Sequence, residues 1–254
     1  MTVQPAPSSA SLAEELAVAN QILFDQGVLD SFGHVSVRHD RDPERFLLAR
    51  NVAPGQVTAQ DILEFAHDGS LLSPGEHRVY LERFIHGSIY RDRPDVMAVV
   101  HSHSPSVVPY SVSRKARFRP VCHMSGFLGA GTPLFEIRDV AGPASDLLIR
   151  DDQLGRALSR SLAGANLVLM RGHGCTVVAA SLKVAVYRAI YAEINARLLT
   201  QALQLGEPEY LSEGEAKTAA ENIEGQVDRP WNLWKAAAQE KRSSRPASAD
   251  SQPC

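Results

Sequence analysis

Three histidines in this chain stand where folding could gather them around one metal ion. Residues 96–105 read VMAVVHSHSP, a Val-rich run that ends in His101-Ser-His103. The run has the length and β-branched content of a buried strand. Alternation along a strand places His101 and His103 on one side and Ser102 on the other. Such a pair fits half of a metal site, and it fits two hydrogen-bonded histidines equally well. A second strand-like run, Asn166-Leu-Val-Leu-Met, ends in Arg171-Gly-His173-Gly. Glycines on both sides of a strand-end histidine permit close approach of backbone or ligand. Glu82 adds a carboxylate. The candidate ligand set is therefore His101, His103, His173 and Glu82 around one divalent ion. Neutral imidazoles with a carboxylate suit manganese or zinc, with iron or cobalt as alternatives. A carboxylate in that place could also serve as acid or base.

These side chains must be carried by elements that the sequence also signals. Ser11 and Glu14 form a capping box for a helix over 11–26 that stops at Gly27, with Leu12, Leu16, Ala19 and Leu23 at helical spacing. His34-Val-Ser-Val-Arg alternates like a strand, so His34, Ser36 and Arg38 share a face. Phe46-Leu-Leu-Ala is its hairpin partner and ends at Arg50. Thr58 caps a turn that passes into a strand, and Asp68-Gly69 marks a turn. Ser73-Pro-Gly precedes a helix over 79–91, which carries Glu82 and His86 four apart on one face and stops at Arg93-Pro94. A short helix over 106–112, loop-like chain over 126–143, an amphipathic helix over 151–162 and a long helix over 181–206 follow. A short helix near 212–224 comes last. His39, His67 and His77 read as surface residues; Trp231 and Trp234 read as surface residues or as caps on a neighbour.

Composition narrows the class. The chain has 254 residues, 44% hydrophobic and 22% charged, which is ordinary for a globular protein and ample for a core. A single domain is expected over 11–240. Residues 1–10 and the Ser/Pro/Ala/Asp tail 241–254 read as frayed or disordered. A formal net charge of −3 does not mark a nucleic-acid binder. No apolar run approaches a membrane span, and the first residues lack the charged and apolar regions of a secretory signal. Three widely spaced cysteines without a CxxC fit a reducing cytoplasm.

With Glu82 nineteen positions before His101, His-Ser-His at 101–103 and Gly-His173-Gly, the chain resembles the class II aldolase/adducin family. The intervening RFIH and RPDVMAVVH agree as well, and the resemblance covers residues 11–210. It implies an α/β fold with three α/β/α layers around a central, mainly antiparallel sheet. It also implies a homotetramer with active sites at subunit interfaces, and a divalent metal held by His101, His103 and His173. The sugar-phosphate aldolases of the family carry a Ser-Ser pair where this chain has Tyr80 and Leu81. Their Asn in a Gly-Asn-Val-Ser motif is His34 here, and their Thr-Gly phosphate loop is replaced by Ala49-Arg-Asn-Val-Ala-Pro54. Hydroxyl donors are lost and a guanidinium appears, which pairs with a carboxylate in two-pronged fashion. The substrate implied is a flat carboxylate rather than a phosphosugar.

HVSVR, YLERFIHG, HSHSPSVVP and RPVCHMSGFLG are similar to the decarboxylase branch of that family, whose members act on hydroxylated aromatic dicarboxylates such as dihydroxyphthalate or hydroxypyridine dicarboxylate. The resemblance implies a metal-dependent decarboxylase, a carbon–carbon lyase. His34, Ser36, Arg50, Tyr80 and Phe127 would surround an aromatic carboxylate. Glu82, or His123 from a neighbouring subunit, would deliver the proton that replaces CO2. An aldolase or dehydratase acting on a small sugar or hydroxy acid is the first alternative, but it calls for a Ser/Thr phosphate cluster that the chain lacks. A non-enzymatic adducin-like scaffold fits less well, because all three metal histidines are retained. An iron-dependent oxygenase on the same fold is a third.

Overall fold

The structure, a computed structural model, describes residues 9–243. Short runs rich in Val, Leu and Phe pair into a seven-stranded sheet. The strands are β1 (His34–Arg38), β2 (Arg45–Ala49), β3 (Ile62–Ala66), β4 (Ala98–Ser102), β5 (Leu134–Phe135), β6 (Leu167–Met170) and β7 (Gly174–Ala179). Their order is β3-β2-β1-β4-β7-β6-β5, antiparallel throughout except for the parallel pair β5–β6. The helices are α1 (Ser9–Asp25), α2 (Arg83–Asp92), α3 (Val108–Val112), α4 (Arg138–Ala141), α5 (Asp152–Leu162), α6 (Leu182–Leu205), α7 (Glu213–Glu224) and α8 (Asp228–Ser243). No helix among the described residues is long and apolar enough to cross a membrane.

Strand alternation sorts side chains into two cores, one on each face of the sheet. Val35, Val37, Ala98, Val100, Val177 and Ala179 pack with α1, α6 and α8. Phe46, Leu48, Val99, Val168 and Val178 pack with α2 and α5 on the other face. Each fully buried Val, Leu or Ile contributes about 1.5–3 kcal/mol relative to exposure, so both layers are held by the sheet between them. The expected α/β/α architecture with a mainly antiparallel sheet is therefore present. His34, Ser36 and His101 lie on the α2/α5 face, and His34 is the direct cross-strand partner of His101. That register brings an imidazole from β1 beside the His-Ser-His of β4.

Several local expectations need correction. The helix expected to begin at the Ser11 cap already includes Ser9 and Ala10. The helix expected from Val79 begins at Arg83, with Glu82 as its N-cap, because Val79 instead makes an antiparallel bridge to Arg50. The supposed loop 126–143 contains the end of a 3-10 segment (His123–Leu128), β5 and α4. The start of the expected tail, 241–243, belongs to α8; residues 1–8 and 244–254 lie outside the described residues. Trp231 is 1% exposed and packs from α8 into the core rather than on the surface. His39 and His67 are buried, whereas His77 is exposed as expected.

β6 and β7 are joined by a three-residue hairpin, Arg171-Gly172-His173. Gly172 adopts the left-handed conformation such a loop requires (φ 66°), and the His173 amide donates to the Met170 carbonyl (3.0 Å). Gly174 serves a different end. A Cβ there would sit 2.1 Å from the Ser102 carbonyl oxygen. The close approach is between β7 and the backbone that carries His103. Gly174→Ala is expected to cost about 3 kcal/mol, lowering Tm by roughly 10 °C. Thermal unfolding checks this, and an unchanged Tm would show that the two strands can part without cost.

Candidate metal centre

His101 is the last but one residue of the fully buried strand β4, His103 follows it by two residues, and His173 tops the hairpin beside them. Their Nε2 atoms converge: His101 to His103 is 3.2 Å and His103 to His173 is 2.9 Å. Glu82 Oε2 completes the cluster at 3.5 Å from His101 Nε2 and 3.6 Å from His173 Nε2. All four donor atoms lie within 4.8 Å of one another. Ligands bound at about 2.1 Å in a tetrahedron sit about 3.3–3.5 Å apart, so the spacing already suits one ion.

Hydrogen-bond roles make the case stronger. His101 Nδ1 faces the Cys175 carbonyl (3.2 Å) and His173 Nδ1 faces the Leu147 carbonyl (2.9 Å). A carbonyl only accepts, so in each neutral ring the proton is on Nδ1 and Nε2 carries a lone pair. Two lone pairs and a carboxylate oxygen pointing at one spot repel unless a cation stands between them. Burial pushes His101 down, and it pushes His103 down to about 4 with help from His101 and His173. The rings are thus kept in the neutral, ligating form. The donor set fits a divalent cation.

The segment before α5 braces this cluster from a distance in sequence. Leu147 presents its carbonyl to His173, and two residues on the Ile149 amide donates to Glu82 Oε1 (2.9 Å). Leu147 takes a left-handed backbone (φ 71°) to do so, unusual for a residue with a side chain. Sequence reasoning misses both residues, because the groups used are backbone atoms with no side-chain signature. Leu147→Gly is therefore expected to be more stable than Leu147→Ala by about 1 kcal/mol, the reverse of the usual order. Urea unfolding of the two variants checks it; a more stable Ala variant would remove the backbone argument.

The residues expected around the substrate divide. His34 lies 5.1 Å from the His101 ring and 4.8 Å from the Tyr80 ring. Tyr80 donates to the Val52 carbonyl, and Arg50 Nε donates to Asp61 Oδ1 (2.6 Å), leaving the rest of a half-exposed guanidinium available. Ser36 is corrected: with no exposed surface it bonds His86 and Tyr90 beneath His34 and cannot touch a substrate. Phe127 is corrected too. It is 4% exposed and packs near Tyr187 in the core on the opposite face of the sheet. His123 is exposed in a groove against α7 and is not among the four gathered donors. His86, expected on the same helix face as Glu82, bonds His34 and Ser36. Tyr90 was missed, although its place one helical turn after His86 was a usable signal.

Comparison with known proteins places the chain among relatives. The family described as Class II Aldolase and Adducin N-terminal domain matches residues 14–200. Decarboxylase tropJ of Talaromyces stipitatus is 39% identical over 236 residues, covering 84% of this chain and 88% of that protein. The 3,4-dihydroxyphthalate decarboxylase of Arthrobacter keyseri is 31% identical over 207 residues, covering 78% of this chain and 81% of that protein. Among solved structures, the L-fuculose 1-phosphate aldolase of Glaciozyma antarctica shares the fold with a TM-score of 0.77 at 18% identity, over 95% of each chain. Matched over most of its length, and with a histidine trio gathered at the strand ends beside Glu82 at the start of α2, the chain belongs to the class II aldolase and adducin family.

Proposed function

We propose that the chain is a divalent-metal-dependent decarboxylase of a hydroxylated aromatic carboxylate. The observation that carries the proposal is the convergence of three imidazole Nε2 atoms and Glu82 at one point, beside His34 and beside Tyr80, which stands where the sugar-phosphate aldolases carry a hydroxyl pair. The similarity to decarboxylases, one of them named for 3,4-dihydroxyphthalate, supports the same reading. Manganese or zinc suits the donor set. When bound, the ion supplies Lewis acidity that draws off the electron density released as the carbon–carbon bond breaks.

The residues of the chain do the rest. His34 donates a hydrogen bond to a substrate carboxylate, and the open side of Arg50 offers a second anchor. Glu82 takes the proton of the substrate hydroxyl as it binds. The ring–carboxylate bond then breaks, CO2 leaves with neither of the bonding electrons, and Glu82 returns its proton to the ring carbon. Solvent restores the hydroxyl proton, so one proton is consumed per CO2 released. Sites at a subunit interface of a homo-oligomer would let His123 of a neighbouring chain approach the same carbon.

CO2 release from 3,4-dihydroxyphthalate, with and without a chelator, tests this reading. Chelator-sensitive release is expected. Strong cleavage of fuculose 1-phosphate together with silence on aromatic acids would overturn it in favour of an aldolase.

A further inference from the structure

Behind His34 runs a buried chain of side chains that the reaction above does not use. His34 Nδ1 meets His86 Nε2 at 2.6 Å, His86 Nδ1 meets Ser36 Oγ at 2.6 Å, and Ser36 Oγ meets the Tyr90 hydroxyl at 2.8 Å. Ser36, His86 and Tyr90 are all at most 1% exposed. Phe46 lies against His86 and Tyr90, so the chain is walled by an apolar ring. Arg38 donates to the Tyr90 carbonyl (2.6 Å) and pins that turn of α2 to β1.

The direction of this chain follows from its far end. A buried hydroxyl proton must find an acceptor, and Ser36 Oγ is the acceptor that Tyr90 meets among the described residues. Tyr90 therefore donates to Ser36, and Ser36 must pass its own proton to His86 Nδ1. His86 then carries its proton on Nε2 and donates to His34 Nδ1. His34 is left with its proton on Nε2, an atom with no hydrogen-bond partner among the described residues.

We propose that Tyr90, Ser36 and His86 are positioning residues that form a one-way donor chain, holding His34 as the Nε2–H tautomer so that it offers a fixed donor to an anionic oxygen of the substrate. The substrate half of this proposal rests on the decarboxylase reading; the tautomer half stands on the hydrogen bonds alone. A locked donor favours a carboxylate or phenolate over a group that must itself donate, since the latter would meet N–H against O–H. It also explains why Ser36, far too buried to reach a ligand, still belongs to the site.

Nitrogen-15 NMR of histidine-labelled, zinc-loaded protein tests the tautomer without any turnover. His34 is expected as a neutral ring with the proton on Nε2. Tyr90→Phe keeps the ring shape but removes the proton that starts the chain, and Ser36→Ala breaks the next link; each is expected to mix the two tautomers of His34. Wild-type His34 with its proton on Nδ1, or a tautomer that ignores both variants, overturns the proposal. Affinity for phthalate, an aromatic dicarboxylate probe, supplies the second readout. Tyr90→Phe is expected to weaken it about fivefold. In a His34→Gln background, where an amide N–H needs no tautomer lock, the same change should have no effect. Equal weakening in both backgrounds would assign Tyr90 a merely structural role and overturn the positioning claim. Correct tautomers with no phthalate binding to the wild type would support the donor chain and overturn the substrate reading.

Discussion

Replacing His103 by Ala is expected to strip the protein of its metal and of its activity while leaving it folded. His103 lies at the open edge of the cluster, and its Nε2 is within 3.2 Å of both other histidine donors. His101, by contrast, is fully buried between β1 and β7. Loss of one of four ligands should weaken binding by roughly a thousandfold, about 4 kcal/mol. Metal content after dialysis should fall from one ion per chain to under about a tenth, and decarboxylation by about 10⁴-fold. Thermal unfolding of the metal-free forms controls for folding, since the variant and the chelated wild type should then unfold together. Full activity in a variant that carries no metal would refute the metal centre as the seat of chemistry.

Glu82→Gln tests the acid–base role separately. The amide is the same size, and its oxygen can still accept from the Ile149 amide, which now bonds Glu82 Oε1. The substitution therefore removes a proton carrier and a negative charge without creating a cavity. kcat is expected to fall about 10³-fold, within the range for loss of a general acid–base group, with KM changed less than about threefold. Metal affinity should drop far less than in His103→Ala. A kcat close to the wild type would move proton delivery to another group, for which His123 of a neighbouring chain is the first candidate. Loss of metal equal to that of the histidine variant would instead make Glu82 a ligand above all.

The contrast between these two variants rests on how the site is built. Three ligands come from the ends of β4 and the β6–β7 hairpin, which the sheet holds in register. The carboxylate comes from the first residue before α2, steadied by a backbone amide from the segment before α5. The histidines are therefore set by strand pairing, whereas Glu82 is set by two separate hydrogen-bonded ends, an arrangement that lets a carboxylate change partners during a reaction.

Much of this was present in the chain as text. The alternation of VMAVVHSH marks a strand with two imidazoles on one side, and the glycines around His173 mark a tight turn; both are local properties of covalent geometry. Family resemblance tied those pieces to Glu82 and to a layered fold. Side-chain roles that depend on depth were not legible. Ser36 and Phe127 sit in promising stretches, yet strand alternation buries Ser36 as a link beneath His34, and the 3-10 segment His123–Leu128 carries Phe127 into the opposite core. Arg50 and Val79 pair across a loop, and that pairing delays the start of α2 until Glu82 is its cap. The proton positions on His101, His173 and His34 depend on carbonyls and hydroxyls brought from distant segments. Sequence alone thus determined which groups were on hand to bind a metal. Only the tertiary structure decided which nitrogen of each ring faces it, because a tautomer is chosen by the neighbour on the ring's other side.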